Sequence, residues 1–182
     1  KPVLGVVPST KALSIVGSSR SNGEREADDF YPTPPYAVEE LLKREVFSGN
    51  IWECACGEGD ISEVFKNKGF EVISTDLINR GYGEQLDFLQ SDLVSDNIVT
   101  NPPYKFAKEF IEKAISIVND GNKVAMFLKI QFLEGKARKQ LFAKYPPKTV
   151  YVSSSRLLCA KNADFKGMKE GGGSAVAYAW LD

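Results

Sequence analysis

The chain has 182 residues, 43% hydrophobic and 26% charged, with a net charge of −1 and no histidine. That length suffices for one domain with its own core, no apolar run approaches the roughly 20 residues of a membrane-spanning helix, and the missing imidazole excludes Ser-His-Asp and Cys-His catalysis. The charge is segregated: residues 1–100 hold 9 Lys and Arg against 17 Asp and Glu, and residues 101–182 hold 14 against 7, so either one side of the molecule faces a polyanion or solvated charges are segregated by chance.

Residues 1–29 are broken by Pro2, Gly5, Pro8 and "GSSRSNG" and read as an irregular arm. In "FYPTPPYAVEELLKREV", Thr33 reads as a helix N-cap, Pro34 fits the first turn, and Val38, Leu41, Leu42 and Val46 follow helical spacing. "IWECA" (51–55) is a buried strand, "CGEGD" a turn, "ISEVFKNKG" a short helix stopped by Gly69, and "FEVISTD" a second strand. Together they make a βαβ unit, whose crossover is expected to be right-handed. Residues 77–95 read as irregular, with a short strand near Leu86–Leu89. "NIVT" is the next strand, Phe106–Val118 an amphipathic helix, "KVAMFLKI" a central strand, and "EGKARKQLFAKY" a basic helix stopped by Pro146-Pro147. "TVYVSS" and "AVAYAWL" are the last strands, joined by a basic, Gly-rich connection over residues 156–174. Alternating strands and helices imply a mostly parallel sheet covered on both faces, and the ending implies an antiparallel edge hairpin.

The glycine loop "ECACGEGD" lets a ligand approach backbone at the end of the first strand. It departs from G-x-G-x-x-G, because Gly57-Glu58-Gly59 is followed by Ser62. Glu53, Glu58 and Asp60 crowd it without a Lys or Arg, which opposes a pyrophosphate and suits a cationic ligand. S-adenosylmethionine, with an ammonium and a sulfonium, is such a ligand. Asp76 ends the second strand, where an acid can accept from both ribose hydroxyls; a turn or cap role is the bland alternative. Asp87 is placed to bond an exocyclic amine and Phe88 to flank a purine, with a simple turn as the alternative. Three cysteines (Cys54, Cys56, Cys159) form no disulfide framework and point to a reducing compartment, hence a cytoplasmic location. Cys54 and Cys56 are expected in the core; with no His, no metal site is expected.

"FYPTPP", "ECACGEG", "STD", "DFL" and "NPPY" occur in that order over residues 30–104. This set resembles the class I S-adenosylmethionine-dependent methyltransferases, and within them the N6-adenine amino-methyltransferases with an Asn-Pro-Pro-Tyr motif, especially small phage- or prophage-type DNA enzymes. The resemblance extends over roughly residues 24–182. It implies an α/β Rossmann-like fold with a seven-stranded, mostly parallel sheet of order 3-2-1-4-5-7-6, strand 7 antiparallel, and helices on both faces. It implies a single methyltransferase domain over 30–182, without a separate target-recognition domain. It also implies that Tyr31 and Thr33 meet the methionine end of the cofactor, that Glu53 and Ala55, Cys56, Gly57, Glu58 and Gly59 line it, that Asp76 with Leu77 holds the ribose, and that Asp87 and Phe88 hold the adenine. It implies that Asn101 contacts the cofactor as well as the substrate, and that the protein works in the cytoplasm of a bacterial or phage-infected cell.

NPPY suits amine methylation on chemical grounds. The lone pair of an adenine N6 amine is delocalised into the ring. The Asn101 side-chain oxygen and the Pro102 carbonyl can each accept one N6–H, drawing the nitrogen toward tetrahedral geometry. Pro102 and Pro103 fix φ and stiffen the loop, and Tyr104 offers a ring for a base to stack on. A duplex base would have to flip out to reach the site. Without the upstream motifs, NPPY reads better as a strand-ending turn that caps the next helix.

Candidate nucleic-acid contacts are Lys105, Lys108, Lys129, Lys136, Arg138, Lys139, Arg156, Lys161, Lys166 and Lys169, with residues 156–169 favoured for phosphate. Phe132 and Phe165 are candidates for the opposite face of the base. The expected partner is DNA, with RNA as an alternative; either 156–174 reads the target, or recognition is loose, or a homodimer or accessory subunit helps. Methylation of a protein glutamine amide, or a non-catalytic binding subunit, are the rival readings.

Overall fold

The structure, a computed structural model, describes residues 31–154 and 178–181. Four helices and seven strands are described: α1 Pro35–Leu42, β1 Ile51–Glu53, α2 Asp60–Asn67, β2 Val72–Asp76, β3 Glu84–Gln85, β4 Asn97–Thr100, α3 Ala107–Ile117, β5 Val124–Lys129, α4 Lys136–Lys144, β6 Val150–Val152 and β7 Tyr178–Leu181. The strands form one sheet of order β3-β2-β1-β4-β5-β7-β6, as the resemblance implied, with six longer strands and the two-residue edge β3. β1 through β5 pair in parallel, and β7 runs antiparallel between β5 and β6. The arm 1–29 and the connection 156–174 lie outside the described residues.

Side-chain alternation explains the two-faced burial. Ile51, Val99, Ala125 and Phe127 face a core formed with α1 and α2 through Val38, Leu41, Ile61 and Phe65. Their neighbours Trp52, Ile98, Met126 and Leu128 face the other layer, with Phe110, Ile111 and Ala114 of α3 and Leu141 of α4. A strand buried on both faces reads as a continuous apolar run. Trp52, fully buried, satisfies its indole by donating to Thr75 Oγ1 at 2.8 Å. At the N-terminal ends of the strands, buried Asn97 donates to the Ser48 and Asn50 carbonyls and accepts from Lys123 N–H. That tie holds the edge of the sheet opposite the loops described below.

Several local expectations are corrected. α1 is entered through Pro34 in extended conformation, with no side-chain cap, and the Thr33 hydroxyl serves elsewhere. α1 stops at Leu42, so Val46 lies outside it and is 84% exposed, while Phe47 enters the core instead. β1 ends at Glu53 because the chain turns there into the glycine loop. The strand expected near Leu86–Leu89 lies earlier, at Glu84–Gln85, because Asp87 accepts from Leu89 N–H and winds 88–90 into a 3-10 turn.

Candidate functional site

β1, β4 and β5 end side by side at one edge of the sheet, and the loops leaving them enclose a cavity of about 530 Å³. That edge is where open parallel sheets bind ligands, and the volume is typical of a small-molecule site. Its walls come from Tyr31–Thr33, Glu53–Cys56 with Asp60, Asp76–Ile78 with Arg80, Asp87–Gln90, Asn101–Phe106 and the end of β5.

Asn101 follows β4 directly. Its side-chain Nδ2 donates to the Tyr31 carbonyl at 2.7 Å and to Thr33 Oγ1 at 3.0 Å. A carbonyl can only accept, so the amide orientation is fixed: the NH2 faces Tyr31, and Oδ1 is left to accept. Pro103 accepts from Phe106 N–H, opening the 3-10 turn Tyr104–Phe106, while the Pro102 carbonyl takes no backbone hydrogen bond among the described residues. Two acceptors therefore stand on adjacent residues, held by rigid prolines. Tyr104 lines the cavity beside them.

The other end of the cavity is acidic. Asp76 Oδ2 accepts from Gly57 N–H at 2.8 Å and Oδ1 from Ile78 N–H at 2.9 Å. A carboxylate has about four acceptor positions, so Asp76 organises its turn and retains capacity for a ligand. Glu53 is buried beneath the loop and accepts from both the N–H and hydroxyl of Ser62, tying β1 to the first turn of α2. Burial outweighs those bonds and pushes its carboxyl up to about 8. Burial, with Glu58 nearby, also raises Asp60. Asp87 lines the wall next to Phe88, whose ring packs edge-on against Trp52. Arg80 lines the same side.

The sequence-derived site residues divide clearly. Tyr31, Thr33, Glu53, Ala55, Cys56, Asp76, Leu77, Asp87, Phe88, Asn101, Pro102, Pro103, Tyr104 and Lys105 line one cavity. Gly57, Glu58 and Gly59 turn behind that wall, where the Tyr82 ring covers Gly59. Phe132 is corrected: it is fully buried, edge-on to Tyr104 at 6.3 Å, and presents no open face to a base. It supports the Tyr104 ring, with the Arg138 guanidinium 4.8 Å from its own. Arg156, Lys161 and Phe165 lie outside the described residues. Lys129, read only as one of many basic residues, lines the cavity between Tyr31 and Tyr104. Its signal was its place at the end of a central apolar strand, at the sheet edge that carries Asn101. Burial pushes the Cys56 thiol up to about 12 and raises Cys54 as well, so neither supplies a thiolate nucleophile.

Among the described residues no group of His, Cys, Asp and Glu is arranged to hold a metal ion, and no helix is long and apolar enough to cross a membrane. No protein-family model and no curated protein matches the sequence. Solved structures do. A protein assigned as an RNA methyltransferase, from Pyrococcus horikoshii, aligns at a TM-score of 0.58 and 14% identity, over 83% of this chain and 85% of that one. TehB from Haemophilus influenzae aligns at 0.58 and 13%, over 80% and 60%. Magnesium protoporphyrin IX methyltransferase from Synechocystis, solved with S-adenosylmethionine bound, aligns at 0.51 and 13%, over 81% and 79%. The likeness is one of architecture: this chain has the α/β Rossmann-like fold of the methyltransferases.

Proposed function

We propose that this chain transfers a methyl group from S-adenosylmethionine to the exocyclic N6 amine of adenine in DNA. The observation that carries the reading is the Asn101 amide, whose NH2 is engaged by Tyr31 and Thr33 and whose oxygen is left beside the Pro102 carbonyl and the Tyr104 ring. The donor set of the opposite wall fits the cofactor. Asp60, Asp76 and Asp87 present carboxylates, and Glu53 a protonated carboxyl, to a ligand with two cationic groups and no phosphate, and Asp76 keeps acceptor capacity for ribose hydroxyls.

When bound, S-adenosylmethionine would supply an electrophilic sulfonium methyl group, with the S–C electron pair kept by sulfur on transfer to the amine nitrogen. Asn101 Oδ1 and the Pro102 carbonyl each accept one amine N–H, orienting the nitrogen lone pair and stabilising the positive charge that grows there. The extra proton leaves for water after transfer, so the absence of histidine is no obstacle. Tyr104 stacks on the base, and the Phe132 edge beneath keeps that ring in place. Fixing both reactants in line supplies several kcal/mol of the barrier.

The test is parallel incubation of the protein and labelled cofactor with DNA, RNA and a peptide-release factor, followed by mass spectrometry of each. N6-methyladenine in the DNA digest is expected; label confined to RNA or protein would overturn the reading. Asn101→Ala should abolish transfer with cofactor affinity held within a few fold, and undiminished turnover would remove Asn101 from its role.

A further inference from the structure

Lys129 closes β5 at the sheet edge that carries Asn101. Its Nζ lies 4.9 Å from the Tyr31 ring centroid and 5.1 Å from that of Tyr104. Among the described residues no carboxylate stands within ion-pair distance of it, unlike Lys123, which precedes the opposite end of the same strand and pairs with Glu45. The cavity's carboxylates come from the last residues of β1 and β2, the first of α2 and the turn at 87, with β4 standing between β1 and β5. So a cation sits where the cavity is lined by aromatic rings, held by ring faces and without an anion among the described residues. Such a cation exchanges readily for an anionic partner, and lysine's flexible four-carbon stem lets it move.

Tyr31 and Tyr104 flank one gap, and Phe132, being buried, is not an alternative second wall. The ammonium and a stacked base cannot share that gap. We propose that Lys129 is a substrate-contacting residue: it occupies the gap between Tyr31 and Tyr104 until a base takes its place, then pairs with a phosphodiester oxygen beside that base. The inference rests on the nucleic-acid reading given above. It names Tyr31 as the second wall of the base slot and Lys129 as the source of one phosphate contact.

The test is binding of a fluorescein-labelled twelve-residue oligodeoxyadenylate to the full chain, by anisotropy, from 50 to 300 mM KCl with saturating S-adenosylhomocysteine. Lys129→Met keeps the stem and removes the charge. The slope of log affinity against log salt should become shallower by about 0.7, the increment for one phosphate contact on a single strand. Lys129→Arg should keep the wild-type slope, and both variants should bind S-adenosylhomocysteine within twofold of wild type. Weaker binding by Lys129→Met with an unchanged slope would mean that Lys129 only supports the two rings, and would overturn the proposal; unchanged affinity and slope would do the same. If the wild-type chain bound no oligonucleotide, the nucleic-acid reading itself would fall, an outcome distinct from the first two.

Discussion

The side-chain nitrogen of Asn101 donates to the backbone carbonyl of Tyr31 at 2.7 Å, across 70 positions of sequence. The bond fastens the segment before α1 to the loop after β4 and sets which way the amide faces. Thr33 supplies the second acceptor. Thr33→Val preserves shape and removes that acceptor, leaving Asn101 with one anchor. A neutral hydrogen bond contributes roughly 1 kcal/mol, about fivefold in a rate if the lost anchor acts through orientation. Turnover at saturating substrates should fall by about that factor, with Thr33→Ser close to wild type. Steady-state kinetics check this, and a Thr33→Val variant with full turnover would show that Tyr31 alone orients the amide.

Glu53 makes stability depend on pH. Its carboxyl is raised from 4.5 to about 8, chiefly by burial. The native state therefore holds a proton that the unfolded chain releases across that interval. The associated stability is fully present below the unfolded value and is lost as pH rises through the native one. The interval is worth roughly 3–5 kcal/mol between about pH 4.5 and 8. Raised Asp60 acts in the same direction, while Glu45, lowered by its bonds to Lys123 and Tyr151, acts in the acid range below 4.5. Glu53→Gln keeps an oxygen to accept from the Ser62 N–H and hydroxyl and removes the ionisable group. Urea unfolding at pH 5, 6.5 and 8 should show wild-type stability declining and the variant's nearly level. Parallel declines would place the proton elsewhere.

The fold was legible where periodicity was strong. The alternation of Ile98 and Val99, or of Ala125 to Leu128, places neighbours on opposite faces, and the spacing of Phe110, Ile111 and Ala114 marks one face of α3. Asn101, Tyr104, Asp76 and Glu53 were legible because each follows or ends a strand at one edge of a parallel sheet. What escaped depends on tertiary contact. Thr33 reads as a cap because a hydroxyl before Pro-Pro fits that pattern; only the return of β4, 68 positions later, gives it another partner. Phe132 reads as an available ring because the 3-10 turn that sinks it beneath Tyr104 leaves no mark in spacing. The gap occupied by Lys129 needs three separate segments to meet.

Tyr82 and Gly59 offer the sharpest test of the loop behind the cavity wall. Gly59 has φ of +92° and leads into α2, a conformation that costs an ordinary residue roughly 1–2 kcal/mol. A Cβ there would lie 2.4 Å from Tyr82 Cζ. The ring cannot swing aside without loss, because its hydroxyl donates to Glu63 at 2.5 Å and accepts from Lys66 at 2.7 Å. Gly59→Ala therefore combines backbone strain with a clash. Tyr82→Ala removes the clash and leaves the strain. In a double-mutant cycle, Gly59→Ala should cost less in the Tyr82→Ala background than in wild type, by about 1–2 kcal/mol in urea unfolding. Additive costs would mean that the Tyr82 ring does not rest on the glycine loop in solution.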